Sequence, residues 1–137
     1  MSDHRTIQKV GLAAVEAGRL LVVRKRGGSL FILPGGKPEG RERDLETLSR
    51  EVREELGCRV SHAKFEASFT DDAAEMSDTV VVVRLYAGKL VGKPQPASEI
   101  EEMAWLDLAA PNSLPLAPSL INHILPYLSR REARQTA

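Results

Sequence analysis

Three glutamates, Glu51, Glu54 and Glu55, stand at i, i+3 and i+4 in a chain of 137 residues. On a helix that spacing brings carboxylates onto one face, within reach of a common cation. A hard divalent ion such as Mg²⁺ binds through a few such oxygens, keeps several waters and takes further oxygens from substrate phosphates. The chemistry on offer is metal-assisted phosphate hydrolysis, in which the ion neutralises phosphate charge and lowers the pKa of an attacking water. Taken alone, the triplet also fits a solvated helix face laced by i, i+4 pairs, Glu46 with Arg50 and Arg50 with Glu54. Its surroundings argue against that reading. Pro34-Gly35-Gly36, just upstream, marks backbone that turns sharply or approaches a ligand closely. Carboxylates crowded on one face without basic residues between them repel one another, and a cation relieves that repulsion.

The elements that must position these groups follow from periodicity. Residues 44–56 form the strongest helix, with Leu45, Leu48, Val52 and Leu56 as an apolar stripe and Gly57 in place to close it. At about 100° per residue the glutamate face lies roughly 110° from the centre of that stripe, so the helix can pack by one side and present carboxylates at a cleft rim. Residues 6–15 and 19–26 read as strands joined in a hairpin around Gly18, and residues 30–33 as a short strand running into the Pro-Gly-Gly turn. Residues 60–70 are expected to form a strand, 71–78 a mobile polar connection, and 79–89 a long strand whose four consecutive valines suggest burial on both faces. Residues 91–98 carry Gly92, Pro94 and Pro96 and read as a loop, and 102–108 as a last strand. Residues 120–129 read as a C-terminal helix interrupted or started near Pro126, and 130–137 as a polar tail. Interleaved strands and helices predict an α/β fold, a sheet layered between helices, in one domain over residues 1–137.

Composition narrows the function classes. Nineteen basic and nineteen acidic side chains give a formal net charge of zero, which offers no long-range attraction for a nucleic-acid polymer or an anionic membrane. Cys58 is the only cysteine, which excludes an intrachain disulfide and suits a reducing cytoplasm. The N-terminal segment has neither the basic start nor the apolar core of a signal peptide, and the apolar run at residues 79–85 is broken by Arg84. A cytoplasmic protein is expected.

Residues 36–58 read as Gly36, five residues, Glu42, seven residues, Arg50-Glu51-Val52, one residue, Glu54-Glu55, one residue, Gly57-Cys58. This pattern resembles the Nudix box of the Nudix hydrolases, with Cys58 where the family has an aliphatic residue; a buried thiol is a small hydrophobe, so the departure is mild. The resemblance implies a Nudix-type α/β/α sandwich with a mixed β-sheet between helices. It implies metal binding by Glu51, Glu54 and Glu55, assisted by the backbone carbonyl at Gly36, with one glutamate activating water. It also implies that Arg50 serves this catalytic set by bracing loop and helix together with Glu42, and that Gly57 closes the motif. Mg²⁺ is the implied cofactor, with Mn²⁺ as an alternative. The implied reaction is water attack at phosphorus of a nucleoside diphosphate linked to another moiety. In short members resembling this chain the substrate is often a nucleoside or deoxynucleoside triphosphate.

Outside the box the signals are weaker. Glu99, Glu101 and Glu102 precede the last strand, where many Nudix proteins carry a further metal-binding or basic carboxylate; the spacing of Glu99 to Trp105 resembles the MutT-type subgroup. An exposed acidic loop is the other reading. Arg24, Lys25 and Arg26 close the second strand near Gly35 and Gly36 and offer contacts to phosphates, though alternation sends Lys25 to one face and both arginines to the other. Where MutT-type sanitisers place a base-reading asparagine near the start of the C-terminal helix, this chain has Pro118, which offers no side-chain donor or acceptor. The proline and tyrosine that mark ADP-ribose and dinucleoside polyphosphate hydrolases have no counterpart at Asp72-Ala73-Ala74. Phe31, Phe69 and Trp105 read as packing residues, and His4, His62 and His123 have no ligand spacing. A non-catalytic nucleotide-sensing Nudix domain, and a hydrolase of ADP-ribose or nucleotide sugars, are the competing functions. A homodimer is common enough among such proteins to be expected.

Overall fold

The computed structural model describes residues 5–136; His4 and Ala137, the end of the expected tail, lie outside them. The first strand, β1 (Arg5–Ala13), runs through the middle of the molecule, and its side chains divide between two cores. Ile7 and Ala13 face one core, Val10 and Leu12 the other, as the alternation of a strand requires. β3 (Arg19–Lys25) divides in the same way, with Leu20 and Val22 to one side and Leu21 and Val23 to the other. The first core is closed by Leu120, Ile124 and Leu128 near the C-terminus, the second by Leu48, Val52 and Leu56 of α1 (Asp44–Leu56). The strands therefore lie between helical layers, the α/β arrangement expected from the interleaving.

The strands form two sheets. A mixed sheet has the order β4-β1-β6-β5, where β4 is Gly35–Gly36, β5 is Arg59–Asp72 and β6 is Thr79–Val91. β1 and β6 are parallel and the other pairs antiparallel. The second sheet, β2-β3-β7, is antiparallel, with β2 at Val15–Glu16 and β7 at Ile100–Asp107. The expected hairpin between residues 6–15 and 19–26 is accordingly short. Only Val15 and Glu16 pair with Leu20 and Arg19, around Ala17 and Gly18, both at positive φ (51° and 75°) as a two-residue primed turn demands. β1 itself pairs with β6 and β4, because a parallel ladder of nine residue pairs outweighs a tight hairpin.

Other expectations need correction. Residues 30–33 do not form a strand; Phe31 and Ile32 make isolated bridges to Leu116 and Val23. β5 extends through Asp72, so the polar connection expected at 71–78 is confined to residues 73–78. β6 is not buried on both faces: Val81, Val83 and Leu85 are buried while Val80, Val82 and Arg84 are half-buried, since only one side of that stretch meets the first core. The expected polar tail continues the C-terminal helix α2 (Leu125–Thr136), preceded by a π-helical turn at Leu120–Ile124. Pro126 explains the wide turn: its ring would clash with the carbonyl four residues back in a regular helix, and the wider π turn makes room.

Candidate active site

α1 carries most of the site, and its ends are firmly set. The Glu46 carboxylate accepts the Arg43 N–H at 2.9 Å, and acidic Asp44 and Glu46 occupy the first turn, favourable positions in the helix dipole. Asp44 is in turn held to β6, where Arg84 Nε and Tyr86 Oη each donate to it at 2.9 Å. At the other end Gly57 adopts φ 68° and donates its N–H to Arg53.

The buried face of α1 is not the stripe read from leucine and valine alone. Leu45, in the first turn, is half exposed, whereas Thr47, Leu48, Val52, Glu55 and Leu56 are buried. At about 100° per residue Glu55 falls only about 20° from Leu48, inside the packed face, with Glu51 at its edge and Glu54 beyond it. Glu55 is 5% exposed. Its carboxylate accepts the Gly35 N–H at 3.0 Å, which ties the helix to the glycine strand. Burial pushes the Glu55 carboxyl up to about 8; the Gly35 amide opposes this, while the charge of Glu51 and a hydrogen bond shared with it add to it. Glu51 lies against Gly36 so closely that a Cβ there would stand 2.6 Å from its carboxylate carbon.

Arg50 organises the rim. Its Nε and Nη2 donate to the two Glu42 oxygens at 2.7 and 2.9 Å, its Nη1 donates to Glu51 at 2.6 Å, and Nη2 also reaches the Lys37 carbonyl at 3.0 Å. Such a fork is the geometry that guanidinium serves and ammonium does not. The Arg50 fork, with the Glu39 amide, holds the Glu42 carboxyl down to about 2. Glu54 stands 3.6 Å from Arg50 with its side chain 54% exposed. Of the expected trio, then, Glu51 and Glu55 are brought together at Gly35–Gly36, and Glu54 points outward.

A cavity of about 210 Å³ adjoins this point. Lys9, Lys25, Gly35 and Gly36 form one end, and Val81, Val83, Leu120 and Ile124 line the apolar interior. Of the basic cluster only Lys25 lines the cavity. Arg24 donates to Glu102 and to the Gly28 carbonyl, and Arg26 to Glu101 and the Ser98 carbonyl. Glu99 is exposed, and its carbonyl accepts the Arg26 N–H at 2.8 Å. Phe31 is in the first core and Phe69 stacks on His123, so neither ring lines the cavity.

Three lining residues escaped the sequence reading. Lys9 is one; burial, and the charges of Lys25 and Lys37, lower its pKa, while Glu55 and Glu51 raise it. Its signal was an ammonium between Ile7 and Gly11 on the inward alternation of β1. Ser119 is another: it, and not Pro118, lines the cavity at the start of the C-terminal helical segment. Glu75 is the third, reaching over from the β5–β6 turn.

The donor set suits a hard divalent ion: Glu51 and the buried Glu55 converge on Gly35 and Gly36, and the charge of Glu51 opposes ionisation of Glu55, a repulsion that a cation would relieve. Among the described residues no three His, Cys, Asp or Glu side chains enclose an ion by themselves.

Comparison with known proteins gives the class. The NUDIX domain family model matches residues 7–128, and the chain belongs to that family. It is 26% identical over 115 residues to the uncharacterized Nudix hydrolase YvcI of Bacillus subtilis strain 168, covering 82% of this chain and 72% of that protein. The solution structure of the Escherichia coli ORF135 protein superposes with a TM-score of 0.75 at 26% identity, over 96% of this chain and 94% of that one. A MutT Nudix hydrolase from Burkholderia pseudomallei does so at 0.74 and 23%, over 85% and 93%. The protein is thus a Nudix pyrophosphohydrolase, an enzyme of nucleoside-diphosphate-linked compounds, and it shares the fold of a MutT protein. Among the described residues no helix is long and apolar enough to cross a membrane.

Proposed function

We propose that the enzyme is a Mg²⁺-dependent hydrolase of a nucleoside or deoxynucleoside triphosphate, releasing a monophosphate and pyrophosphate by water attack at phosphorus. The observation that carries this reading is the pairing of buried Glu55 with Glu51 beside Gly35–Gly36, at the lysine-lined end of an apolar cavity. Glu51, Glu55 and the Gly36 carbonyl would hold the ion, with Glu54 at the rim and Arg50 and Glu42 bracing the set. When bound, the ion neutralises phosphate charge and acidifies an attacking water. Lys9 and Lys25 meet the charge of the phosphates, and the apolar interior takes the base.

A panel of nucleoside triphosphates, ADP-ribose, nucleotide sugars and dinucleoside polyphosphates, assayed with Mg²⁺ for released phosphate and pyrophosphate, tests the substrate class. Pyrophosphate from a triphosphate is the expected product. A kcat/KM for ADP-ribose or a nucleotide sugar more than tenfold above every triphosphate would overturn the assignment.

Proton release offers a separate check on the metal. The folded, metal-free Glu55 carboxyl titrates near 8 against an ordinary value of 4.5. The sign follows: metal-free stability is greatest below pH 4.5, declines as pH rises from there towards 8, and then levels off. Mg²⁺ must displace that proton, so binding at pH 7 is expected to release close to one proton, and affinity to fall up to about tenfold per pH unit below 8. Calorimetry in buffers of different ionisation enthalpy measures this. Binding with no proton release would remove Glu55 from the metal site.

A further inference from the structure

Glu75 occupies the turn between β5 and β6 at φ 59°, a left-handed conformation that glycine or asparagine adopts readily and glutamate rarely does. A glutamate held there points to a task for its side chain. Its carboxylate crosses to the segment after β3, where it accepts the Ser29 N–H at 3.0 and 3.1 Å and the Ser29 hydroxyl. The two segments it joins are 46 residues apart in sequence. Both form walls of the cavity described above: Ala73, Ala74 and Met76 on one side, Gly28 and Leu30 on the other. Gly28 comes close enough that a Cβ would meet Glu75 Oε2 at 3.2 Å, and Met76 beside it is 44% exposed.

We propose that Glu75 and Ser29 form a latch that fixes the spacing of these two cavity walls and so positions the non-phosphate part of the substrate. Glu75 is a positioning residue, and the proposal rests on the reading of the cavity as the place for the base. A backbone amide and a hydroxyl of one residue converging on one carboxylate make a clamp that an amide side chain can partly reproduce and alanine cannot. Unlatched walls leave the cavity wider and raise the ordering cost on binding, while Glu51 and Glu55 keep their own contacts to Arg50 and Gly35.

The test compares Glu75→Ala, Glu75→Gln and Ser29→Ala with wild type, using ATP and dGTP with Mg²⁺ as probes. Glu75→Ala is expected to raise KM five- to tenfold with kcat within twofold. Glu75→Gln should recover part of that loss, because its carbonyl still accepts the Ser29 N–H, and Ser29→Ala should fall between. Amide hydrogen exchange reads the latch without turnover: Ser29 should exchange at least tenfold faster in Glu75→Ala. Unchanged exchange, or faster exchange with unchanged KM, overturns the proposal. If wild type hydrolyses no triphosphate, the substrate reading fails, and the latch then stands or falls on the exchange rates alone.

Discussion

Glu55→Gln is expected to lower Mg²⁺-dependent kcat/KM by about 10³-fold while leaving the fold intact, the scale set by losing a general base or a metal-bound carboxylate. Glutamine is nearly isosteric and keeps an oxygen to accept the Gly35 N–H, so the helix stays tied to the glycine strand. It removes a charge from a site that is 5% exposed, where ionisation is opposed by burial and by Glu51. The metal-free variant should therefore melt above wild type at pH 9, where the wild-type carboxyl is ionised, and match it at pH 5. Two measurements, steady-state turnover and a pH series of melting curves, separate the outcomes. Retained activity would deny Glu55 its chemical role. Lost activity together with a lower melting temperature would make it a packing residue only.

The same residue shows how far the site could be read from sequence. The box spacing located Glu51, Glu54 and Glu55 on one helix, because spacing is a local property and helices have a fixed period. What spacing does not carry is which flank of the helix meets the sheet. The apolar stripe pointed to a centre near Val52, and a carboxylate was expected at the rim; the helix instead buries Glu55 among its leucines. A buried charge breaks the hydrophobic pattern used to find burial, and breaks of that kind gather at functional sites.

Sheet partners were hidden for a related reason. Gly18 correctly marked a turn, yet β1 pairs with β6, from Arg5 beside Thr79 to Ala13 beside Ala87, and no local signal reports a parallel partner so far along the chain. Lys9, Ser119 and Glu75 reach one cavity from three distant segments, so their common role exists only once the chain has folded. Arg24 and Arg26 show the converse. Their charge suggested phosphate contacts; the β3–β7 pairing sets Arg24 beside Glu102, and Arg26, just past the strand, pairs with Glu101.

The two adjacent glycines of β4 should respond to alanine differently, one chiefly in stability and the other chiefly in metal binding. At Gly35 the backbone lies at φ 140°, and a Cβ would stand 2.0 Å from the Val10 carbonyl oxygen and 3.0 Å from Gly11 Cα. Those atoms are backbone in the pairing of Val10 with Gly36 and Gly11 with Gly35, so nothing can move aside without opening the strand pair. Gly35→Ala is expected to cost about 3 kcal/mol or more of folding stability, in the range reserved for special backbone positions and hard overlap. At Gly36 the obstacle is the Glu51 carboxylate, 2.6 to 2.9 Å from the added carbon, at the free end of a flexible side chain. Glu51 can swing away, so Gly36→Ala should cost no more than about 1 kcal/mol. In swinging it leaves Arg50 and Glu55, and Mg²⁺ affinity or kcat should fall by about 10²-fold, as when a ligand loses its support. Urea unfolding and Mg²⁺ titration of both variants give the comparison. Equal stability losses at the two positions would mean that Glu51 is fixed by more than Arg50 and its neighbouring carboxylate, and that the metal site is built into the fold rather than laid against it.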